Sequence, residues 1–167
     1  VVKSAYSSGK PSYGVGAGNV QGILDKDIDI KTAVSKIIAS RIFDNGIICS
    51  GDQTIIAPKE DYKAIIDEFV AQGAYYTEDA AEVEAIRNTV FPGGVMNKDL
   101  VGQPVAALAA AAGIAIPEGT KLIIVKASGY GKDDYFSKEK MCPLMSAYAY
   151  DTWEEAVEIA YANLNVE

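Results

Sequence analysis

Cys49 is the side chain whose type and setting are best suited to covalent chemistry. It follows Gly46 and two isoleucines, and small polar residues lead from it into a new apolar run. A thiol at such a junction can point its sulfur into a cleft and act as a nucleophile. The chain has no histidine, which excludes both a Cys-His dyad and a Ser-His-Asp triad. On spacing alone, a buried and inert thiol is the favoured interpretation.

Two other motifs invite a functional interpretation and are better explained by structure. The segment from Gly14 to Gly18 reads G-x-G-x-G before a predicted strand, whereas a nucleotide-binding turn needs G-x-G-x-x-G before a helix. We therefore expect a flexible turn there. Cys142, next to Pro143, is expected to be structural. The two cysteines are far apart in sequence, and no histidine accompanies them, so we predict no metal site.

The composition is that of an ordinary globular domain, because 49% of the 167 residues are hydrophobic and 23% are charged. The net charge of −8 argues against nucleic acid and anionic membrane as partners. No apolar stretch reaches about 18 residues, so we predict no membrane span. Two cysteines are too few for a disulfide framework, which favours the cytoplasm. The chain begins at Val1 without a methionine, which we interpret as the middle of a longer chain.

The apolar pattern alternates between the two-residue period of strands and the 3.6-residue period of helices. Strands are predicted at residues 20–24, 53–57 and 121–127. Helices are predicted to begin near residues 30, 62, 79, 104 and 153. Asp27 or Asp29 is available to cap the first helix, and Thr152 begins a capping box. This alternation predicts an α/β fold, in which helices pack on a mostly parallel sheet.

The acidic side chains give no clear catalytic signal. Aspartate and glutamate cluster on helix faces that we expect to be solvated, and no pair stands out as an acid/base couple. The charged segment at residues 132–140 is also expected to be a solvated loop.

Five short motifs occur in order along the chain. They are Ala5-Tyr6-Ser7-Ser8-Gly9-Lys10-Pro11, Gly14-Val15-Gly16-Ala17-Gly18-Asn19, Phe43-Asp44-Asn45-Gly46-Ile47-Ile48-Cys49, Val101-Gly102-Gln103 and Glu139-Lys140-Met141-Cys142-Pro143. This ordered set resembles the CoA-acylating aldehyde dehydrogenases, a family that includes acetaldehyde, propionaldehyde and succinate-semialdehyde dehydrogenases. The segment around Glu139 is most similar to the succinate-semialdehyde members. The resemblance covers the whole chain and implies a three-layer α/β/α domain of the aldehyde dehydrogenase catalytic-domain type.

The resemblance also implies a mechanism that starts at Cys49. In the family, the matching cysteine attacks an aldehyde, hydride passes to NAD or NADP, and coenzyme A takes the acyl group from the resulting thioester. The backbone N–H of the cysteine itself and an asparagine side chain from the other domain hold the oxyanion. Nearby amide dipoles and cofactor charge can lower the pKa of the thiol without a histidine. Glu139 matches a glutamate that holds the hydroxyls of the nicotinamide ribose. The alternative interpretation of Glu139 is a surface carboxylate without a role in the site.

One missing residue separates the acylating branch from the hydrolytic one. Hydrolytic aldehyde dehydrogenases carry a glutamate that activates water against the thioester, and its position falls near Val15, where no carboxylate is present. Without that base the thioester persists for coenzyme A. A hydrolytic enzyme whose base lies elsewhere remains an alternative. So does a non-catalytic module in which Cys49 is merely buried.

The resemblance implies that residues 1–167 are the cysteine-bearing catalytic domain of a longer enzyme. In the family, the main dinucleotide-binding domain precedes the point where this sequence starts, and an oligomerisation segment follows its end. We therefore expect the parent protein to be a homo-oligomer that takes an aldehyde and coenzyme A. We expect residues 1–167 alone to bind NAD weakly and to turn over negligibly.

Overall fold

A computed structural model, which describes residues 2–14 and 18–166, contains a five-stranded sheet. The strands are β1 (Gln21–Ile23), β2 (Thr54–Pro58), β3 (Ala74–Thr77), β4 (Leu122–Lys126) and β5 (Leu144–Tyr150). Their spatial order is β1-β2-β5-β4-β3, and every neighbouring pair is parallel. The predicted α/β class is therefore confirmed, and the sheet of the described residues is wholly parallel.

Helices connect these strands, and most of their ends follow from local sequence. They are α1 (Val2–Tyr6), α2 (Ile30–Ile42), α3 (Tyr62–Ala71), α4 (Ala80–Val90), α5 (Val105–Ala112) and α6 (Trp153–Leu164). Of the two aspartates available to cap α2, Asp29 does so, because its carboxylate accepts from the amide of Thr32. Thr152 caps α6, since its hydroxyl accepts from the amide of Glu155. The carboxylate of Glu155 accepts from the amide of Asp151, so the predicted capping box is present in its first half and shifted by one residue in its second. No helix of the described residues is long and apolar enough to cross a membrane.

Helices cover both faces of the sheet, which gives the predicted three layers. On one face, α2 and α3 pack against Ile55, Ile124 and Met145. On the other face, α4 and α5 pack against Ile123 and Leu144, and α6 packs against β2 and β5. Successive strand residues point to opposite faces, so strands buried on both sides consist of nearly continuous apolar runs.

The expectation of a solvated loop at residues 132–140 is wrong. Asp134, Phe136 and Lys140 are buried, and two short 3-10 turns form at Gly131–Asp133 and Tyr135–Ser137. The polar groups can be buried because they have partners: Asp134 accepts from the amide of Phe136 and binds the guanidinium of Arg87 through both carboxylate oxygens.

Candidate active site

The segments that carry the candidate residues lead into three neighbouring strands. Residues 18–20 precede β1, residues 49–53 precede β2, and residues 139–143 precede β5. The parallel register aligns Gln21, Thr54 and Ser146. These segments therefore meet at one edge of the sheet, here named the amino edge. Ligands of open parallel sheets more often bind at the carboxyl ends of the strands.

Cys49 is exposed in a turn at the amino edge, so the interpretation of a buried thiol is wrong. Between α2 and this turn lies a short segment, residues 43–46, here named the approach to Cys49. Its last three residues have positive φ angles: 48° at Asp44, 51° at Asn45 and 76° at Gly46. Left-handed conformations cost energy outside glycine and are tolerated best by asparagine and aspartate. Such strain concentrates at functional sites, where the surrounding structure enforces it.

The turn that carries Cys49 is tightly packed. The amide of Gly51 donates to the carbonyl of Ile48 at 3.1 Å, and a Cβ at Gly51 would lie 3.3 Å from the carbonyl oxygen of Ser40. A Cβ at Gly18 would lie 3.6 Å from the carbonyl oxygen of Cys49 itself. The end of the glycine-rich segment is thus in contact with the backbone of the candidate nucleophile.

Glu139 is half-buried, and its segment is tied to the residues that follow Cys49. The side-chain oxygen of Gln53 accepts from the amide of Lys140 at 2.9 Å. The buried ammonium of Lys140 donates to the carbonyl of Lys138 at 3.0 Å and contacts that of Gln53 at 3.5 Å. The two sequence-predicted site residues therefore lie on segments joined through Gln53.

Arg41, in the last turn of α2, is fully buried beneath the same segments. Its Nη1 donates to the carbonyl of Asp52 at 3.3 Å, and its Nη2 donates to the carbonyls of Lys140 and Cys142. Burial lowers the pKa of Arg41 to about 10, while Cys142, Glu139 and Asp52 act in the opposite direction. The side chain therefore stays charged near neutral pH.

The motif around Gly102 also reaches the amino edge. The amide of Gly102 donates to the carbonyl of Met141 at 2.9 Å, and its carbonyl accepts from the side-chain amide of Asn45 at 3.0 Å. This short motif therefore bridges the approach to Cys49 and the segment that carries Glu139.

Four of the five motifs meet at this edge through the residues that the structure describes. The first joins the second, because the amide of Gly14 donates to the hydroxyl of Tyr6 at 2.8 Å.

Side-chain amides, of which Asn19 and Asn163 are buried and Gln21 is half-buried, lie under the amino edge. The side chain of Asn19 donates to the carbonyls of Ser137, at 2.6 Å, and Asn163, at 3.0 Å. The side-chain oxygen of Gln21 accepts from Thr54 and from Asn163, each at 3.0 Å. Satisfied buried networks of this kind rigidify the structure around them.

Cys142 is fully buried, as expected of a structural thiol. Burial raises its pKa to about 11, and the charges of Arg41 and Lys140 oppose this shift. A protonated, inaccessible thiol is a poor nucleophile. The two cysteines of the chain therefore occupy opposite environments, and Cys49 is the one that a reagent can reach.

Sequence reasoning missed Arg41, Gln53 and Asn19. The helical spacing does indicate that Arg41 is buried, because it lies on the same face of α2 as Val34 and Ile38. A charged residue on an apolar face requires buried partners, and those partners are backbone carbonyls from distant segments that sequence spacing does not bring together.

Two sequence expectations concern parts of the chain without a structural description. The expected flexible turn from Gly14 to Gly18, and the Val15 position that matches the missing base, fall on or around residues 15–17, outside the described residues. Within residues 2–14 and 18–166, no group of three or more His, Cys, Asp or Glu side chains could hold a metal ion.

An accessible thiol and a half-buried carboxylate on joined segments of a parallel α/β domain define a candidate thiol-dependent enzyme site. No family model matches the chain. Over 166 residues, the chain is 52% identical to a succinate-semialdehyde dehydrogenase (acetylating) of Clostridium kluyveri, a match that covers 99% of this chain and 37% of the relative. The chain thus spans little more than a third of that relative.

Solved structures of similar proteins agree with this relationship. An acetylating aldehyde dehydrogenase of Geobacillus thermoglucosidasius superposes with a TM-score of 0.92 at 36% identity, covering 99% of this chain and 36% of the other. A propionaldehyde dehydrogenase of Rhodopseudomonas palustris, solved with bound CoA and an acylated cysteine, gives 0.87 at 25% identity, with coverages of 98% and 37%. The chain is homologous to the acylating aldehyde dehydrogenases over essentially its whole length, which confirms the resemblance.

Proposed function

We propose that this chain is the cysteine-bearing catalytic domain of a CoA-acylating aldehyde dehydrogenase, with Cys49 as the nucleophile. The observation that carries the proposal is the exposure of Cys49 at the amino edge, on a tightly packed turn that follows the positive-φ residues Asp44, Asn45 and Gly46. The acylated cysteine in the Rhodopseudomonas palustris relative supports the same chemistry.

In the proposed reaction, the thiolate of Cys49 adds to the aldehyde carbonyl to give a thiohemiacetal. Oxidation of that adduct leaves an acyl group in thioester linkage to the sulfur. The thiolate of coenzyme A then attacks the thioester carbonyl, acyl-CoA departs, and Cys49 returns as a thiolate. The backbone amide of Cys49 itself would hold the oxyanion, because a fixed N–H donor stabilises the negative oxygen without reorganisation.

Glu139 is proposed to hold the nicotinamide cofactor. NAD(P), when bound, supplies the acceptor for the hydride that leaves the thiohemiacetal. A half-buried carboxylate on a segment joined to the Cys49 turn fits this group, since carboxylate oxygens accept hydrogen bonds from ribose hydroxyls. The fixed segment would hold the ribose at one position relative to the thiol.

The experiment follows nicotinamide reduction by the parent protein with succinic semialdehyde or acetaldehyde, with and without coenzyme A. Reduction that requires coenzyme A and disappears in Cys49→Ala supports the proposal. Cys142→Ala is the matched control, and it should retain the dependence on coenzyme A. Sustained turnover without coenzyme A would instead indicate a hydrolytic enzyme. Equal activity of wild type and Cys49→Ala would exclude Cys49 as the nucleophile.

The proposed domain organisation has its own test. If residues 1–167 are one domain of a longer enzyme, most of the dinucleotide contacts come from elsewhere, and this chain alone should bind NAD weakly or not at all. Calorimetric titration of residues 1–167 with NAD+ and NADP+ measures this directly. A clear saturable isotherm would contradict the proposed division of the cofactor site.

A further inference from the structure

Arg41 is the residue whose contacts the proposed mechanism leaves unused. It is fully buried, and its guanidinium donates to the carbonyl of Asp52 on the segment after Cys49 and to those of Lys140 and Cys142 after Glu139. One side chain therefore binds both segments that carry the proposed catalytic and cofactor-binding residues.

The packing around this guanidinium leaves little freedom. A Cβ at Gly46 would lie 2.9 Å from Nη2 of Arg41, so the approach to Cys49 is in contact with it as well. The Nε atom is buried and has no hydrogen-bond partner among the described residues. A buried donor without a partner has a cost, and the native fold tolerates that cost at Arg41.

The requirement for arginine follows from geometry. The guanidinium is planar and presents five N–H donors in a fixed fork, so two of its nitrogens can reach carbonyls on different segments at once. An ammonium is a compact charge that offers less directional donation. A neutral side chain at this position would leave the carbonyls of Asp52, Lys140 and Cys142 without these donors.

We propose that Arg41 is a positioning residue that couples the Cys49 turn to the Glu139 segment and so sets the distance between the nucleophile and the bound cofactor. The proposal rests on the proposed function for its kinetic consequence. The physical coupling of the two segments is independent of that function, and the two can be tested separately.

The first test uses hydrogen exchange and needs no substrate. In Arg41→Met, peptides covering residues 49–53 and 138–142 should both exchange faster than in wild type, while those of β4 should be unchanged. Arg87→Met is the control, since Arg87 is a part-buried guanidinium bound to Asp134 and away from the Cys49 turn, and it should leave residues 49–53 at the wild-type rate. Faster exchange in only one of the two segments, or equally throughout the chain, would overturn the coupling.

The second test is kinetic and uses the parent protein. Arg41→Met should lower kcat and raise KM for the nicotinamide cofactor, each by about tenfold, because the nucleophile and the cofactor lose their common support. Arg41→Lys should recover only a small part of this loss, because an ammonium keeps the charge and cannot donate to both segments through a planar fork. Wild-type values of both constants in Arg41→Met would overturn the proposal.

A double mutant distinguishes positioning from a general loss of stability. If Arg41 acts on the cofactor through Glu139, adding Arg41→Met to Glu139→Gln should raise KM by less than about twofold further, because the two changes remove the same interaction. Additive effects on KM would overturn the proposal. A parent protein that lacks CoA-dependent oxidation, with the exchange result intact, would overturn the proposed function and leave the coupling standing.

Discussion

A Cβ atom added at Gly46 would lie 2.6 Å from the carbonyl oxygen of Cys142, although the two residues are far apart in the sequence. Gly46 has a φ of 76° and ends the strained approach to Cys49. Cys142 follows the segment that carries Glu139. This contact fixes how closely the two segments approach each other, and only glycine permits it.

Gly46→Ala should therefore destabilise the protein and disturb the turn of Cys49. The left-handed conformation alone costs about 1–2 kcal/mol for an alanine, and the clash with backbone adds about 1–3 kcal/mol. Gly93→Ala is the matched control, since Gly93 has a φ of 62° and no atom within 4 Å of the added Cβ. Urea unfolding of the two variants measures the difference, and equal losses would show that the close approach is unimportant.

The two thiols should differ sharply in alkylation. At pH 7.5, iodoacetamide should label Cys49 and leave Cys142 unlabelled, because Cys142 is buried and its pKa is raised to about 11. Intact-mass spectrometry of wild type, Cys49→Ala and Cys142→Ala identifies the labelled residue, and addition of denaturant should expose the second thiol. Equal and slow labelling of both residues in the folded protein would support a non-catalytic module.

The cap of the last helix should have a separate, purely structural effect. Thr152→Ala removes the acceptor for the amide of Glu155 and should lower the free energy of unfolding by about 1 kcal/mol. Thr152→Ser keeps the hydroxyl and should restore most of it. Neither change should alter the alkylation rate of Cys49, so a slower rate in Thr152→Ala alone would reveal an unexpected link between α6 and the site.

The half-buried Tyr62 should make the fold sensitive to alkali. Burial and the hydrogen bond with Tyr76 raise the pKa of Tyr62 well above its ordinary value of 10. A raised folded pKa gives stability that is fully present below the unfolded pKa and is lost as the pH rises through the folded value. The urea midpoint of wild type should therefore fall as the pH rises above about 10.

Tyr62→Phe separates this contribution from other alkaline effects. Phenylalanine cannot ionise, so the variant should lose less stability than wild type between pH 9 and pH 11. Tyr13→Phe is the control, because the side chain of Tyr13 is fully exposed. Parallel pH profiles for Tyr62→Phe and wild type would contradict the shift.

The sequence predicts the layers of the fold better than the details of the sheet. Strands β1, β2 and β4 were predicted from their apolar runs, whereas β3 and β5 were not. β3 is short and only half-buried between its ends, and β5 mixes serine, alanine and tyrosine instead of β-branched residues. Both are strands because of the neighbours with which they pair, since strand preference depends strongly on packing context.

The residues proposed for the candidate site can be chosen from the sequence, whereas the contacts that hold their segments together cannot. The spacing around Cys49 marked a reactive position only with the family resemblance, and Glu139 was indicated by a motif alone. Asp134 and Lys140 were expected in solvent because charged residues are rarely buried without partners. Their partners, Arg87 and Gln53, come from distant positions that no local pattern connects.

The amino edge has a consequence for the order of folding. It joins residues 18–21, 45–53, 102 and 139–142, and β2 reaches its neighbour β5 only after most of the chain has been made. Contacts with such large sequence separation form slowly, because loop closure must precede the interactions that repay it. A chain leaving the ribosome therefore carries Cys49 long before it carries Gly102 and residues 139–142, which complete this edge. Until β5 has docked, the segment of Glu139 is not held beside the turn of Cys49, so the candidate site is completed only when β2 and β5 pair.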